Sequence, residues 1–434
     1  MTELNADQSR AAAEIMRAMS PRSRHLLTGY AGSGKTTLIM SLLKEACEQR
    51  KSVVLTAPTH KAVSVLARKA GEAGIDVECR TIQSLLGLRP KIEEERQVFV
   101  RDRHAPPVDF DVIIIDECSM LGADLMAHIR RYASRAFVLF VGDPAQLPPV
   151  GETESQSFST RSRSHLETIV RQSADNPVLD AAHEIRRTQG GPIDWSWCRP
   201  RKAPPLGVYL PGGRLDAWLR KAFTSPEFDE KPDSFRYLAW TNSRVAEINA
   251  RVRRWRYGDR IPTPFMPGER ALFRAPVMLD DVVLFNNNEE ATVHSIGADM
   301  FRYGLDPSYR SEGWVAAIPS WRISLRRDGH EGMFDVHLPR DAEALRGSLD
   351  RIAAEAAEGD KERWKDLHRL KSSMADMQSV YALTVHKSQG STMRNVFVDV
   401  PDIRRRASDN PLECQQMLYV AATRPTDALV LAGV

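Results

Sequence analysis

Nine residues near the start restrict this chain more than any others: Gly29-Tyr30-Ala31-Gly32-Ser33-Gly34-Lys35-Thr36-Thr37. They meet the phosphate-loop pattern G-x-x-x-x-G-K-[ST] at every fixed position. The preceding His25-Leu26-Leu27-Thr28 reads as a short buried strand. Thr36 to Glu48 reads as a helix with Leu38, Ile39, Leu42 and Leu43 as its apolar positions. In that strand–turn–helix setting the glycines let the backbone curl and aim its N–H groups inward at an anion, and the helix N-terminus adds partial positive charge. Lys35 would reach the β- and γ-phosphates of a nucleotide, and the Thr36 hydroxyl would hold Mg²⁺.

The chain has 434 residues, too many for one core, so two to four domains are expected. A formal net charge of +3 is nearly neutral, so any nucleic-acid binding must rest on local patches. The five cysteines are an odd number, widely spaced and without a C-x-x-C pair, which suggests neither a disulfide framework nor a zinc site. The polar start and the lack of any run of about 18 apolar residues predict no signal peptide or membrane span, and a cytoplasmic setting.

Residues 5 to 19 read as an amphipathic helix. Its Gln8 has two readings: an amide that bonds an adenine edge, or a capping partner of Asn5. Ser52 to Ala57 is a buried strand that runs into Pro58-Thr59-His60-Lys61, and a second strand runs into Thr81-Ile82-Gln83-Ser84. Hydroxyls at such strand ends cap helices or hold a backbone phosphate. Residues 87 to 110, with the charged run 93–96 and then Gln97-Val98-Phe99-Val100, suit a protruding hairpin or a solvated excursion. Asp111 to Glu117 is a strand apolar until its last two residues. Asp116 there would take Mg²⁺ through its second shell, and Glu117 would deprotonate a water attacking the γ-phosphate. Gln146, in Gly142-Asp143-Pro144-Ala145-Gln146-Leu147-Pro148-Pro149, follows another buried strand and would sense the γ-phosphate. Residues 1–155 thus read as one complete nucleotide-binding α/β unit.

A second α/β pattern, over 156–257 and 376–434, has no phosphate loop. Arg171 and Arg424 lie at the ends of strand-like runs in it, where an arginine supplied across a cleft would stabilise phosphoryl charge. Between its two parts, 258–375 shows short β-like runs separated by turn signals, then a charged helical pair expected to project into solvent.

Taken together, Gln8, Gly29–Thr37, Pro58–Ala62, Thr81–Leu85, Asp116-Glu117, Gly142–Pro149, Val170-Arg171-Gln172, Trp240-Thr241-Asn242, Thr384–Ser391 and Tyr419–Arg424 resemble the superfamily 1 helicases of the 5′-to-3′, Dda-like and RecD-like branch. The resemblance implies an α/β fold of two RecA-like P-loop domains. The first, 1–155, carries a pin-like insertion at 87–110; the second, 156–257 with 376–434, carries an SH3-like barrel with a helical arm at 258–375. It implies an ATP- and Mg²⁺-dependent motor that moves 5′-to-3′ on single-stranded DNA and opens forked or tailed duplexes. It also implies a monomer that serves replication, recombination or repair. Gln8 becomes the adenine contact. Gly29, Ala31, Gly32, Ser33, Gly34, Lys35, Thr36, Thr37, Asp116, Glu117, Gln146, Arg171, Gly390 and Arg424 form the ATP site, with Thr36 and Asp116 on the metal. Lys35, Glu117, Gln146, Arg171 and Arg424 carry catalysis. Pro58, Thr59, His60, Thr81, Ser84, Thr241, Asn242, Thr384 and His386 line the strand track, and Phe99 is the wedge at the pin's tip. Rival readings are a translocase that displaces bound proteins, an RNA helicase, and a non-catalytic nucleotide-gated module. The last should lack one of Lys35, Glu117 or Arg424, and all are present.

Overall fold

The computed structural model describes residues 4–434 apart from 94–95, 169–176, 189–190, 192, 194–205, 280–281, 305–313, 329 and 359–360. It divides into two compact units, residues 1–248 with 382–434, and residues 249–381.

The first unit holds two parallel sheets. The first lobe runs α1 (Ala6–Ala18), β1 (Arg24–Gly29), α2 (Lys35–Glu48), β2 (Val53–Ala57), α3 (His60–Glu72), β3 (Glu78–Thr81), α4 (Ile82–Leu85), β4 (Leu88–Glu93), β5 (Arg96–Arg101), β6 (Val112–Ile115), α5 (Ala123–Tyr132), β7 (Phe137–Gly142) and β8 (Arg163–Leu166). Its sheet order is β3-β2-β6-β7-β1-β8. Successive strand residues face opposite sides, and both sides are covered. Leu27, Val112 and Ile114 pack with α1, α2 and α3, while Leu26, Ile113 and Ile115 pack with α4 and α5. This double burial explains the unbroken Val-Ile-Ile-Ile run of β6. Each of its side chains contributes about 2 kcal/mol of transfer free energy.

Three expectations are corrected here. The first lobe does not end at 155, because β8 is the sixth strand of its sheet and pairs parallel with β1. Arg163-Ser164-His165-Leu166 has no apolar run. The edge is held partly by side chains: both ring nitrogens of His25 hydrogen-bond hydroxyls, Ser162 Oγ at 2.8 Å and Ser164 Oγ at 2.9 Å.

Second, β4 and β5 do form a hairpin, in register from Leu88↔Arg101 to Glu93↔Arg96, but Phe99 is not at its tip. Phe99 lies mid-strand opposite Pro90. Its side chain packs on the core beside α5, and its carbonyl sits 3.1 Å from His128 Nε2. An aromatic ring gains more on that half-buried face than at a solvated turn. Phe99→Ala is therefore expected to lower the unfolding free energy by about 1–3 kcal/mol, read as a fall in the urea midpoint. An unchanged midpoint would remove the packing role.

Third, the second lobe does not resume at 376: residues 377–379 form an edge strand of the inserted unit's sheet, paired antiparallel with residues 271–273.

The second lobe begins with α6 (Pro177–Arg187), β9 (Gly207–Tyr209), α7 (Leu215–Phe223), α8 (Pro226–Glu230) and β10 (Phe235–Ala239). Helix α9 (Asn242–Tyr257) leads into the inserted unit. That unit contains β11 (Arg270–Phe273), β12 (Val277–Leu279), β13 (Val282–Phe285), β14 (Glu290–Gly304), β15 (Trp314–Arg326), β16 (Met333–Pro339), α10 (Ala342–Ala357), α11 (Lys361–Ser373) and β17 (Met377–Ser379). Its antiparallel sheet has the order β16-β15-β14-β11-β17. Of the short runs read from sequence, 291–295, 314–318 and 321–325 are parts of two long strands, β14 and β15, while the run ending at Phe285 is the short strand β13. Phe273 and Phe285 stack at 4.2 Å in its core. Helices α10 and α11 do not simply project into solvent, since Ile352 and Leu370 are buried against Ala316 and Ile318 of β15.

The chain then completes the second lobe with β18 (Ala382–Thr384), β19 (Met393–Asp399), α12 (Val400–Arg404), α13 (Pro411–Thr423) and β20 (Pro425–Ala432), in a parallel sheet of order β18-β10-β19-β20-β9. Among the described residues no helix is long and apolar enough to cross a membrane.

Candidate active site and nucleic-acid track

Strand β1 ends at Gly29 and the loop that follows turns through Gly32 (φ 82°) and Gly34 (φ 79°), left-handed conformations that an L side chain resists. Lys35 closes the turn, its Nζ donating to the carbonyls of Gly29 (2.7 Å) and Tyr30 (3.0 Å). Gln8 forms the capping box with Asn5, and its Nε2 also donates to the loop carbonyls of Ser33 (3.3 Å) and Gly34 (3.4 Å). The capping reading of Gln8 is therefore the one visible. Both ends of its amide are engaged within the protein, and α1 is tied to the loop.

Two strands along, β6 delivers Asp116 and Glu117. The Glu117 N–H donates to Asp116 Oδ1 at 2.9 Å. Glu117 itself is left-handed (φ 53°, ψ 42°), which costs a non-glycine residue about 1–2 kcal/mol. Burial, and then the charge of Glu117, push the Asp116 carboxyl up to about 6. A carboxylate so disfavoured, lining one cavity with Thr36, suits a divalent cation as counter-charge. Strand β7 is followed by Gln146, whose Oε1 is buried with no protein partner.

These groups line one cavity of about 170 Å³ with residues from the second lobe: Ala31, Lys35, Thr36, Asp116, Glu117 and Gln146 on one side, Gly390, Ser391, Thr423 and Arg424 on the other. Arg424 is buried, and its fork donates to Val420 O (3.0 Å), Ser391 O (3.2 Å) and Thr423 Oγ1 (2.9 Å). Gly390 (φ 70°) passes so close to the first lobe that a Cβ there would lie 3.1 Å from Ala62 Cβ and 3.2 Å from Thr59 Oγ1. Gln389 Nε2 donates to Leu147 O at 3.2 Å. Arg171 falls outside the described residues.

The comparisons with known proteins agree with this architecture. The AAA domain family matches residues 3–196, and the UvrD-like helicase C-terminal domain matches 379–432. The RecBCD enzyme subunit RecD of Mycolicibacterium smegmatis is 32% identical over 98% of this chain and 71% of its own length. The chain belongs to the superfamily 1 helicases of the 5′-to-3′ branch. The ATP-dependent DNA helicase Dda of Enterobacteria phage T4 is 24% identical over 97% of each chain. A Bacteroides Pif1 bound to single-stranded DNA shares the fold, with a TM-score of 0.51 and 17% identity over 99% of this chain and 92% of that one.

The helicase places its expected track residues at matching positions in its two sheets. Ala57 pairs with Thr81, and Ala239 pairs with Thr384. The first pair ends β2 and β3, the second ends β10 and β18, and each is the edge pair of its sheet. Thr59 caps α3 by accepting from Ala62 N, and Thr81 caps α4 by accepting from Ser84 N, both at 3.2 Å. A hydroxyl that accepts from backbone keeps its own hydrogen to donate. Pro58 O accepts from Gln83 Nε2, and His60 opens α3. Asn242 opens α9 after Thr241, whose Oγ1 donates to Asp402 at 3.0 Å. Burial lowers the pKa of His386, which lies 3.9 Å from Glu413. Asp402 was not singled out from the sequence. It accepts from Trp240 N (2.9 Å), Thr241 N (2.8 Å) and the Thr241 hydroxyl, fixing the turn into α9.

Proposed function

We propose that this helicase hydrolyses ATP to move 5′-to-3′ along single-stranded DNA and to open duplex ahead of it. The observation that carries the reading is the shared cavity, in which the phosphate loop, the Asp116-Glu117 pair and Gln146 face Arg424 from the other lobe. Lys35 leaves its loop carbonyls for the β- and γ-phosphates, and Glu117 takes the proton of the attacking water. Arg424 neutralises charge on the departing phosphoryl group, which makes hydrolysis depend on how the lobes meet. Thr36, and Asp116 through the second shell, would hold Mg²⁺, which would supply positive charge to the phosphates. Gln8 would read adenine only by exchanging its bonds to Asn5 N and the loop carbonyls for the base, and Arg171 acts as a second cross-cleft cation. The alternating grip falls to the two sets of strand-end hydroxyls, which hold phosphates and so tolerate any sequence.

The β4–β5 hairpin is assigned as the pin, without Phe99 as its wedge, since Phe99 lies mid-strand. The inserted antiparallel unit is assigned as the SH3-like module with β14, β15 and the helical pair as its arm. The protein acts as a monomer. Dda and RecD are named as DNA helicase and RecBCD subunit, which favours DNA over RNA.

The test is unwinding of duplexes with either a 5′ or a 3′ single-stranded tail, with Lys35→Ala as the control. Activity on the 5′ tail alone, lost in Lys35→Ala, is expected. Unwinding only from the 3′ tail would overturn the polarity, and no DNA-stimulated hydrolysis by the parent protein would overturn the motor.

A further inference from the structure

A buried polar cluster joins the lobes away from the reacting phosphates. Asp143, at the end of β7, is fully buried. Two second-lobe groups converge on it. Arg186, at the end of α6, donates through Nη1 to Asp143 Oδ1 (2.7 Å) and Oδ2 (3.0 Å). Tyr419, on α13, donates its hydroxyl to Asp143 Oδ2 at 2.6 Å. The same Tyr419 oxygen accepts from Arg186 Nη1 (3.3 Å) and from Ala31 N (3.2 Å), an amide of the phosphate loop. The Arg186 guanidinium also lies 4.3 Å over the ring of Tyr30 in that loop. Helix α13 grips the end of α6 as well, Gln415 Nε2 donating to the carbonyls of Ile185 and Arg186.

Three consequences follow from chemistry alone. A fully buried carboxylate is stable only when paired, and here both of its side-chain partners come from the other lobe, while Ala145 N donates to Oδ1 from its own at 3.0 Å. Tyr419 and Arg424 lie on one helix and its C-terminal cap, so what fixes the tyrosine fixes the arginine. Ala31 N belongs to the set of loop amides that cradle phosphate, so its bond to Tyr419 links loop geometry to the second lobe.

We propose that Arg186, Asp143 and Tyr419 form an interlobe latch, with Arg186 and Tyr419 as positioning residues that hold Arg424 over the phosphate loop. This rests on the ATP-driven motor proposed above. The latch converts the meeting of the lobes into a defined place for Arg424, and passes the loop's state to the strand-gripping ends of the second sheet. None of its groups touches the reacting atoms.

The experiment compares the parent with Tyr419→Phe, Arg186→Gln, Arg186→Lys and the double variant Tyr419→Phe/Arg186→Gln. It measures DNA-stimulated ATPase, melting temperature, and single-strand affinity with and without a non-hydrolysable ATP analogue. Tyr419→Phe removes one oxygen atom and is expected to fold normally. Its kcat should fall about tenfold, and the analogue-induced change in strand affinity should shrink, while the affinity without nucleotide stays unchanged. Arg186→Lys should retain more activity than Arg186→Gln, and the double variant should be no worse than the worse single, because both act through Asp143. A Tyr419→Phe protein within twofold of the parent in kcat and with the full analogue-induced change would overturn the latch, as would effects that multiply in the double variant. A parent without DNA-stimulated ATPase would overturn the motor, and the latch with it.

Discussion

Glu117→Gln is expected to lower the hydrolysis rate by about a thousandfold while leaving ATP binding nearly intact. The amide keeps the size and shape of the carboxylate but cannot accept a proton from the attacking water. The binding groups, Lys35, Thr36 and the loop amides, sit on other elements and are untouched. Glu117 holds a left-handed conformation at the end of β6, with its N–H on Asp116 Oδ1, and glutamine can keep both. The substitution also removes a like charge beside Asp116, one cause of that group's rise to about 6. The sign follows from linkage. A carboxyl whose folded value lies above its ordinary one costs stability as pH rises through that window, from about 4 to 6. The variant should therefore melt no lower than the parent, with the gain largest above pH 6. Single-turnover hydrolysis, nucleotide binding and thermal melts check all three parts. A variant that loses nucleotide binding together with turnover would assign Glu117 to the binding of ATP instead.

Most of this site was legible because its parts are short strings with fixed chemistry. Gly29–Thr37, Asp116-Glu117 and Gly142–Pro149 each follow a run of buried apolar residues, and the structure ends β1, β6 and β7 at them. What was illegible lacks either a run or a string. Strand β8 is Arg-Ser-His-Leu, held at the sheet edge partly through His25, so hydropathy carried no sign of it. Strands β14 and β15 continue far beyond their apolar stretches, as a partly exposed antiparallel pair whose ladder, not its side chains, sets its length. The expectation of Phe99 at a tip rests only on the resemblance, which sets a pin over 87–110; the register with Pro90 and the core beneath it are not visible along the chain. The latch is the extreme case. Asp143, Arg186 and Tyr419 span 276 positions from first to last, and only the fold brings them together.

Arg424→Ala should show the larger loss, a fall of about a thousandfold or more in DNA-stimulated turnover, with only a small change in ATP affinity. The reason is geometric. Arg424 reaches the cavity from the second lobe, whereas Lys35, Thr36 and the loop amides, the groups proposed to bind ATP, belong to the first. Its fork is committed to three separate acceptors, Val420 O, Ser391 O and Thr423 Oγ1, which fix the guanidinium plane at the lip of the cavity. Lysine has one nitrogen on a flexible stem and cannot reproduce that arrangement, so Arg424→Lys should recover little. Truncation also strips the Ser391 carbonyl of its Arg424 partner, which costs about 1–3 kcal/mol in an extreme without water, while Val420 O keeps the Thr423 hydroxyl. Chemical denaturation of both variants therefore belongs beside the kinetics. A folded Arg424→Ala protein that binds ATP and single-stranded DNA but neither hydrolyses nor unwinds would fit a cation supplied across the cleft. The same protein turning over within tenfold of the parent would mean that the second lobe contributes no charge to the transition state, and that the cavity's two-sided lining is a packing contact.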